Sequence, residues 1–572
     1  MRSSLYLGAT IGALLGVLCL GFRSSTADSP TVTPLPPVEG TDGRAGICYS
    51  YYEDPSGAAE RPFIALASEA GSRWDRFDFS WPSIEPQEGV WRFEPRDLII
   101  DSLHAGGIQH LVGILQMTPQ WAATECSVAV RCQDVTDEIF GDHPPGPGAF
   151  SQAVSPQDTW ADAWTRTPPR GLYEDWDAWD RAGGAPINTW GRFVYRTVSH
   201  YSARGVKHWE IWNEPEWSVF WCGTSVDYAR LLEVGYRATK SACPDCKVLF
   251  GGLHYWKNPG YYKWVLNALR DRPDAEENDF FFDVMSVHFY SRPADIYNKV
   301  REIRAGMAER SIYHPIWLTE TGVPIWGDSY DWVTGYPKYK NAATPEEAAA
   351  HVIQSYANAW AAGVERTFYF RANDDWCDRN HDGDCQDSVD IGMTELFGLV
   401  RDNLTLRPSY VAYQVATTHL ISPTVVQDRS SHGVRTVSLL GTPHGKVTAV
   451  WNTTPDVLSI THEAILPSAV QVNVRGESEV ISARDGAYQL TLPGATANWG
   501  ETSEDYFIGG DPLLIIEKDT VPPGSAALAP LPATTYSDTI QVSWNATDGE
   551  SGIWGAEVQV RHGPSGAWSS WL

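Results

Sequence analysis

The sequence predicts an α/β protein, a (β/α)8 barrel followed by a C-terminal β-sandwich and a partial immunoglobulin-like module. Two observations predict this order. Over the first two thirds of the 572-residue chain, short apolar runs alternate with amphipathic helical segments, the pattern of a parallel barrel. From about Ser422 onward, strict two-residue alternation without helical periodicity replaces that pattern, as is typical of antiparallel sheets.

Eight apolar runs are the expected barrel strands, and each has the length of a single β-strand. They lie near Gly46–Tyr51, Arg73–Phe79, Gln109–Gln116, Lys207–Trp212, Lys247–Gly251, Val284–Phe289, Ile316–Glu320 and Arg366–Phe370. A long insertion rich in Pro, Gly, Asp and Trp follows the third run, from about Thr124 to Asn188. Its aromatic residues either line a substrate cleft or pack the insertion onto the barrel.

The chain divides into five predicted segments. The first is a secretory signal peptide, because an apolar run from about Leu5 to Leu20 precedes the small residues Ser25-Thr26-Ala27. We therefore expect a secreted, extracellular or cell-surface protein without membrane contact after cleavage; an uncleaved anchor is the alternative. The segments are 1–27 (signal peptide), 28–43 (linker), 44–420 (barrel), 421–519 (sandwich) and 520–572 (linker and incomplete immunoglobulin-like module).

Composition narrows the class of partner. The chain has 71 acidic and 43 basic residues, a formal net charge of −28, which disfavours binding to nucleic acid or to anionic lipid. It also contains 26 tryptophans and 25 tyrosines, whose rings pack protein cores and also stack on the apolar faces of sugars. A carbohydrate partner is therefore one hypothesis, and the sequence predicts no oligomeric state.

Eight cysteines follow the signal peptide, an even number that predicts disulfides in an exported protein. The most economical pairing joins neighbours in the sequence and leaves the two distant cysteines for each other. The predicted pairs are Cys126–Cys132, Cys243–Cys246, Cys377–Cys385 and Cys48–Cys222.

Two glutamates end predicted strands in similar surroundings. Glu214 follows the apolar segment Trp209–Asn213 on the fourth strand, and Glu320 ends Ile316–Glu320 on the seventh. The carboxyl ends of barrel strands form the face on which barrel active sites are built. Cleavage of a glycosidic bond requires one carboxylic acid and one carboxylate, so the pair predicts a sugar-cleaving site. Asn213, beside Glu214, is a candidate ligand for the sugar 2-hydroxyl.

The stretches Trp-Glu-Ile-Trp-Asn-Glu-Pro (209–215) and Trp-Leu-Thr-Glu-Thr-Gly (317–322) resemble motifs of the clan A glycoside hydrolases. These are retaining (β/α)8-barrel enzymes, and the family 39 and family 5 types are the most similar. The resemblance covers roughly residues 45 to 420. It implies that Glu214 is the general acid/base and Glu320 the nucleophile.

The resemblance also assigns the residues around the glutamates. It implies that Arg76 and Tyr290 hydrogen-bond the nucleophile and that Asn213 and His288 contact the sugar; a core histidine is the alternative for His288. Three tryptophans just after strand ends are candidate sugar platforms, namely Trp121, Trp326 and Trp376.

The implied function is a retaining glycoside hydrolase acting on β-linked poly- or oligosaccharides, with no cofactor required for catalysis. A retaining site places its two carboxyl groups about 5–5.5 Å apart. Two alternatives remain open, a non-catalytic carbohydrate-binding or surface-scaffold protein and a transglycosidase.

A second cluster of acidic residues follows the eighth strand. Its oxygen-bearing side chains stand at positions one, three and five, with glycine at position six, which matches the start of an EF-hand calcium loop. Val389 occupies position twelve, where that loop requires an acid. The cluster is either a structural calcium site or an acidic loop held by Cys377–Cys385. The candidate ligands are Asp378, Asn380, Asp382, Asp384 and Asp387.

Overall fold

The computed structural model forms two compact units, Glu39–Tyr410 and a second that combines Met1–Val38 with Val411–Leu572. Helix Pro408–His419 spans the boundary between them. The structure describes residues 43–51, 61–124, 163–179, 187–328, 342–374, 396–401, 403–497 and 506–518, together with the short strands Leu5–Thr10, Thr31–Pro34, Ser525–Leu528, Trp544–Thr547, Glu557–His562 and Ser569–Ser570.

The first unit contains eight parallel strands, each of which overlaps a predicted run. The strands are β1 (Ala45–Cys48), β2 (Trp74–Ser80), β3 (His110–Gln116), β4 (His208–Asn213), β5 (Lys247–Gly252), β6 (Met285–Phe289), β7 (Ile316–Thr321) and β8 (Arg366–Phe370). They pair in the order β5-β4-β3-β2-β1-β8-β7-β6. Parallel bridges Leu249↔Val284 and Leu253↔Val287 join β5 to β6, so the sheet curves into a nearly closed barrel.

The barrel interior is filled by side chains from six of the strands and from the residue before β6, because alternate residues of each strand face inward. Their rings and branched chains form one packed cluster of Cys48, Trp74, Val112, Leu249, Val284, Trp317 and Phe368. Burial on this scale stabilises the barrel by about 25 cal/mol per Å² of apolar surface removed from water. The interior is therefore a core and not a channel.

Helices connect the strands and cover the outside of the barrel. Two of them begin with reciprocal capping boxes, Thr224 with Asp227 and Thr344 with Glu347, which satisfy backbone N–H groups at the helix start. The α-helices are Arg61–Glu69, Trp81–Ile84, Glu94–Ala105, Thr189–Ser202, Ser225–Ala242, Tyr261–Arg270, Pro293–Ala308, Pro345–Ala361 and Pro408–His419, with 3₁₀ turns at Gln120–Ala122, Ala163–Arg166 and Glu276–Phe281.

The second unit contains the predicted antiparallel sheets. A seven-stranded sheet and a two-stranded sheet, Leu458–Glu463 with Ala487–Leu492, share one apolar cluster, which makes them the layers of a sandwich. The seven-stranded sheet consists of Thr31–Pro34, Val425–Ser431, Val434–Thr442, Gly445–Asn452, Ser468–Val472, Ser478–Ser482 and Leu513–Glu517. Its first strand lies inside the predicted linker and pairs with Val425–Ser431.

Beyond the sandwich, Ser525–Leu528 pairs with Trp544–Thr547, and Glu557–His562 pairs with Leu5–Thr10 and Ser569–Ser570. The immunoglobulin-like assignment of this segment stays a prediction, as do the signal peptide and the five segment boundaries. Within the described residues, no helix combines the length and apolar character needed to cross a membrane.

One predicted disulfide is confirmed and one is wrong. Cys243 and Cys246 are bonded, with 5.3 Å between their Cα atoms. Cys48, in contrast, is a free thiol in the barrel interior, fully buried and within 3.2 Å of the Thr319 carbonyl oxygen. Cys222 lies in the loop after β4, where its N–H donates to Arg166, and it is disulfide-bonded to a cysteine outside the described residues. The pairs Cys126–Cys132 and Cys377–Cys385 also lie outside them.

Candidate active site

Arg76, on β2, is the centre of the site. Its side chain is completely buried and faces the barrel interior, and it lies between two carboxylates from other strands. Nη1 donates to Glu320 Oε1 at 2.6 Å, while Nε and Nη2 donate to the two oxygens of Glu210 at 3.0 and 2.6 Å. The guanidinium thus joins β2 to β4 and to β7 through charge-assisted hydrogen bonds.

Two neutral groups complete the surroundings of Arg76. Nη2 donates to Asn213 Oδ1 at 2.9 Å, which orients the amide so that its Nδ2 remains a donor. The same nitrogen lies 3.3 Å from His288 Nε2. The two hydrogens of Nη2 already point at Glu210 and Asn213, so this is a close contact and not a third hydrogen bond. A proton on Nε2 would face this donor group, whereas Nδ1 faces two carboxyl groups, so the neutral ring carries its proton on Nδ1. Burial lowers the pKa of His288 well below its ordinary value, and Arg76 lowers it further.

His288 lies between the two predicted catalytic glutamates. Its Nδ1 is 2.8 Å from Glu214 Oε1 and 3.4 Å from Glu320 Oε2. One oxygen of each carboxylate and this ring nitrogen all lie within 4.8 Å of one another. On the other side, the Tyr290 hydroxyl donates to Glu320 Oε2. The structure therefore brings together Glu214, Glu320, Arg76, Asn213, His288 and Tyr290, all of them predicted from the sequence.

Local backbone irregularities present these side chains. Trp212 and Glu214 have positive φ angles of 71° and 42°, a left-handed conformation that costs about 1–3 kcal/mol for residues other than glycine. This break in the strand alternation lets both Glu210 and Asn213 reach Arg76. On β7, the register against β6 shifts by one residue between Leu318 and Glu320, a bulge directly before the second glutamate.

The two glutamates differ in the electrostatic environment that sets the pKa of each. Burial raises the pKa of Glu214 well above its ordinary value, and the charge of Glu320 raises it further. Burial also raises the pKa of Glu320, but Arg76 and Tyr290 oppose that effect by stabilising the carboxylate. At neutral pH this arrangement favours a protonated Glu214 beside an ionised Glu320.

The same residues form a poor metal site, although three potential ligand atoms lie close together. A metal would need a lone pair on His288 Nδ1, yet that nitrogen carries the proton because a proton on Nε2 would face the guanidinium of Arg76. The guanidinium 2.6 Å from Glu320 would also repel a cation.

The structure describes two of the three tryptophans that are predicted to be sugar platforms. Trp121 donates through Nε1 to the Glu85 carbonyl at 3.0 Å and meets Trp81 edge to face, so packing accounts for its position. Trp326 is half-buried after β7, and its backbone N–H donates to Ala343 at 2.9 Å. Their role in sugar binding stays a prediction. Trp376 and the five candidate calcium ligands, Asp378, Asn380, Asp382, Asp384 and Asp387, lie outside the described residues.

Glu210 is the functional residue that the sequence reasoning missed. It is fully buried in the middle of β4, pairs with Arg76 and accepts the Gly252 N–H at 2.9 Å. The signal was present in the motif, because a glutamate between Trp209 and Ile211 in a buried strand requires a cationic partner. Asp78, also on β2, accepts hydrogen bonds from Tyr49 and Gln116.

Solved structures that are similar to this chain in fold include several glycosidases. A family 39 glycoside hydrolase from Bacteroides cellulosilyticus matches with a TM-score of 0.54 at 16% identity, over 83% of this chain and 81% of that one. A glucosidase from Croceicoccus marinus (TM-score 0.51, 12% identity, 84% and 98% covered) and an endo-β-1,6-glucanase (TM-score 0.51, 12% identity, 87% and 96% covered) are also similar.

At these identities the likeness establishes the fold, so the resemblance to the clan A barrels is confirmed at that level. The fold defines the chain as a (β/α)8-barrel protein of the architecture found in these glycoside hydrolases. No protein-family model matches the chain, and no curated protein matches it by sequence.

Proposed function

We propose that this protein is a secreted glycoside hydrolase that cleaves β-glycosidic bonds with retention of configuration. The observation that carries the proposal is the pair formed by Glu214 and Glu320, whose facing oxygens lie within 4.8 Å. Retaining enzymes hold their carboxyl groups about 5–5.5 Å apart, whereas inverting enzymes need roughly 6.5–9.5 Å to admit a water molecule. The unequal environments of the two glutamates support a division of roles.

In the first step Glu320 attacks the anomeric carbon, and the glycosidic bond breaks as Glu214 transfers its proton to the leaving oxygen. Arg76 and Tyr290 hold the Glu320 carboxylate ionised and oriented, and the Nδ1–H of His288 faces both reacting carboxyl groups. Formation of the ester removes the charge of Glu320. The pKa of Glu214 then falls, which suits its second role as a base.

In the second step Glu214 removes a proton from water, and the resulting hydroxide attacks the anomeric carbon and releases Glu320. The sugar leaves with its original configuration after two inversions. Asn213 Nδ2 is free to donate to the 2-hydroxyl, because Arg76 occupies its oxygen. The neighbouring structures are a family 39 glycoside hydrolase, a glucosidase and a β-1,6-glucanase, which supports a carbohydrate substrate.

The test is turnover of aryl β-glycosides by the wild-type protein and by Glu320→Gly. We expect the variant to lose turnover and to regain it with azide, giving a glycosyl azide of inverted configuration, because azide fills the space of the missing nucleophile. Glu88→Gly, at a loop carboxylate whose side chain is 46% exposed, is the matched control and should keep wild-type rates.

A wild-type protein inactive on every aryl β-glycoside and glycan tested would instead favour a non-catalytic carbohydrate-binding protein. That alternative has less support, because binding alone does not require a buried acid beside an ionised carboxylate. Transglycosylation uses the same two glutamates and would appear in the same assay as glycoside products in place of free sugar.

A further inference from the structure

Two tight turns lie side by side at the ends of β4 and β5. The first is closed by a hydrogen bond from the Trp217 N–H to the Glu214 carbonyl at 2.9 Å. The second is closed by one from the Lys257 N–H to the His254 carbonyl at 3.0 Å. Because β4 and β5 are paired strands, the turns meet, and Lys257 Nζ lies 3.8 Å from the centroid of the Trp217 ring.

Lys257 is exposed, and among the described residues its ammonium makes no hydrogen bond and no ion pair. Its contact with the Trp217 ring positions the side chain and leaves N–H donors that no acceptor occupies. Lys299 illustrates the contrast, since its Nζ donates to Glu302 at 2.9 Å. In a chain with a net charge of −28, an ammonium with free donors beside the site is unusual.

Neighbouring acids do not neutralise this ammonium at neutral pH. Glu216 follows Glu214 on the first turn, and burial raises the pKa of its carboxyl to about 8. Burial likewise raises the pKa of Glu214. Burial lowers the pKa of Lys257, and those two glutamates act in the opposite direction. Burial thus favours the neutral form of both carboxyl groups, and neither of them forms an ion pair with Lys257, so the positive charge of this lysine is available to a ligand.

The position of Lys257 connects it with the leaving group. Glu214 protonates the leaving oxygen, so the sugar that departs lies on the side of the site formed by Glu214 and the turn that follows it. His254 continues this wall toward the nucleophile, because its ring meets Trp217 at 5.6 Å and Tyr290 at 6.4 Å between centroids. Trp256, in the same turn as Lys257, is 42% exposed.

We propose that Lys257 binds an anionic group, a carboxylate or a sulfate, on the sugar at the leaving-group side of the cleft. This inference rests on the proposed glycosidase function and names the chemistry of one part of its substrate. An ammonium held over an aromatic ring with its N–H groups free is suited to a negatively charged oxygen, which strengthens the hydrogen bond relative to a neutral hydroxyl.

The test uses acceptors that enter the leaving-group side after the glycosyl-enzyme has formed. Methyl β-glucuronide and methyl β-glucoside differ only in a carboxylate against a hydroxymethyl group. With an aryl β-glycoside as donor, we expect wild-type protein to transfer to the glucuronide about tenfold more than to the glucoside, since a hydrogen bond to a charged oxygen is stronger than one to a neutral hydroxyl. A 6-sulfated methyl glucoside in the same competition distinguishes sulfate from carboxylate recognition.

Lys257→Met should abolish the preference for the charged acceptor, and Lys257→Arg should retain part of it. Lys299→Met is the matched control, because that lysine is already paired with Glu302, and it should keep the wild-type ratio. Equal transfer to both acceptors in the wild type, or a preference that survives Lys257→Met, would overturn the inference.

Calorimetric titration of the protein with each of the two methyl glycosides measures binding through Lys257 without turnover. A protein that binds the glucuronide through Lys257 but hydrolyses nothing would contradict the glycosidase proposal and leave this one standing. A protein that hydrolyses aryl glycosides but binds both acceptors equally would contradict the Lys257 proposal and leave the glycosidase proposal standing.

Discussion

Arg76 is one cation bonded to two buried carboxylates, Glu210 and Glu320. Burial acts to lower the pKa of Arg76, and the two carboxylates outweigh that effect, so the guanidinium stays charged. With Glu214 protonated, Arg76 and its two carboxylates together carry one net negative charge, which resides on the carboxylates that Arg76 orients. Glu210 uses both its oxygens on this residue, so its function is to fix the guanidinium. In the proposed mechanism, Glu320 is thereby held for attack.

The Tyr290 hydroxyl gives the clearest prediction at the scale of single residues. Tyr290→Phe removes a hydrogen bond that stabilises ionised Glu320, a contribution of about 1.5–3 kcal/mol. We expect kcat/KM for aryl β-glycosides to fall roughly 10- to 100-fold. Because the lost bond favoured the charged form, the pKa of Glu320 should rise, and the acid limb of the pH profile should move to higher pH.

Tyr173→Phe is the matched control, since the Tyr173 hydroxyl also donates to a carboxylate, Asp227 at 2.6 Å, but its side chain is 62% exposed. It should change neither the rate nor the acid limb. A Tyr290→Phe variant with a lower rate but an unshifted acid limb would show that Tyr290 does not act on the ionisation of Glu320.

At the scale of elements, neighbouring strands approach closely where the site requires it. Gly252 ends β5, and a Cβ built on this residue would lie 1.9 Å from His288 Nε2 on β6. The carbonyl of Gly252 accepts the Glu214 N–H, and its N–H donates to Glu210. Only a residue without a side chain allows the histidine ring to fit beside this backbone.

Gly252→Ala therefore tests the packing of β5 against β6. We expect the added methyl group to displace His288 from its position between Glu214 and Arg76, and activity to fall at least roughly tenfold, as small misplacements in active sites do. Gly43→Ala is the control, because a Cβ there has no atom within 4 Å. Wild-type kinetics in Gly252→Ala would mean that the position of His288 is unimportant for the reaction.

The barrel strands were predictable because strands of a parallel sheet are buried on both faces and form continuous apolar runs. Strand Leu458–Glu463 of the second unit gives a weaker apolar signal in the sequence, since its residues alternate between half-buried and exposed. The disulfide Cys48–Cys222 was predicted from economy of pairing. Pairing by elimination carries no information on which face of β1 the thiol of Cys48 occupies.

At the scale of the whole molecule, the two units have separate cores, and the acidic loop after β8 belongs to the barrel segment. If that loop binds calcium, the ion stabilises the folded barrel by about 2.7 kcal/mol at a concentration of about 100 times Kd. We expect a chelator to lower Tm by several degrees and added calcium to restore it. Magnesium is the ion control, and Asp378→Asn with Asp382→Asn should remove the response.

A Tm that neither chelator nor calcium changes would eliminate the calcium hypothesis and leave an acidic loop held by Cys377–Cys385. That pairing stays a prediction, and reduction of the protein followed by mass mapping of its cysteines tests it together with the partner of Cys222.

By itself, the sequence determined the fold class and singled out the two glutamates as the candidate catalytic pair. Both follow from local patterns, apolar runs of strand length and a carboxylate at the end of each of two strands. Tertiary structure decided how the strands meet around Arg76, and with it the neutral state of His288, the pairing of Glu210 and the free thiol of Cys48. These depend on side chains up to 244 residues apart in the chain, and only closure of the barrel brings such residues into contact.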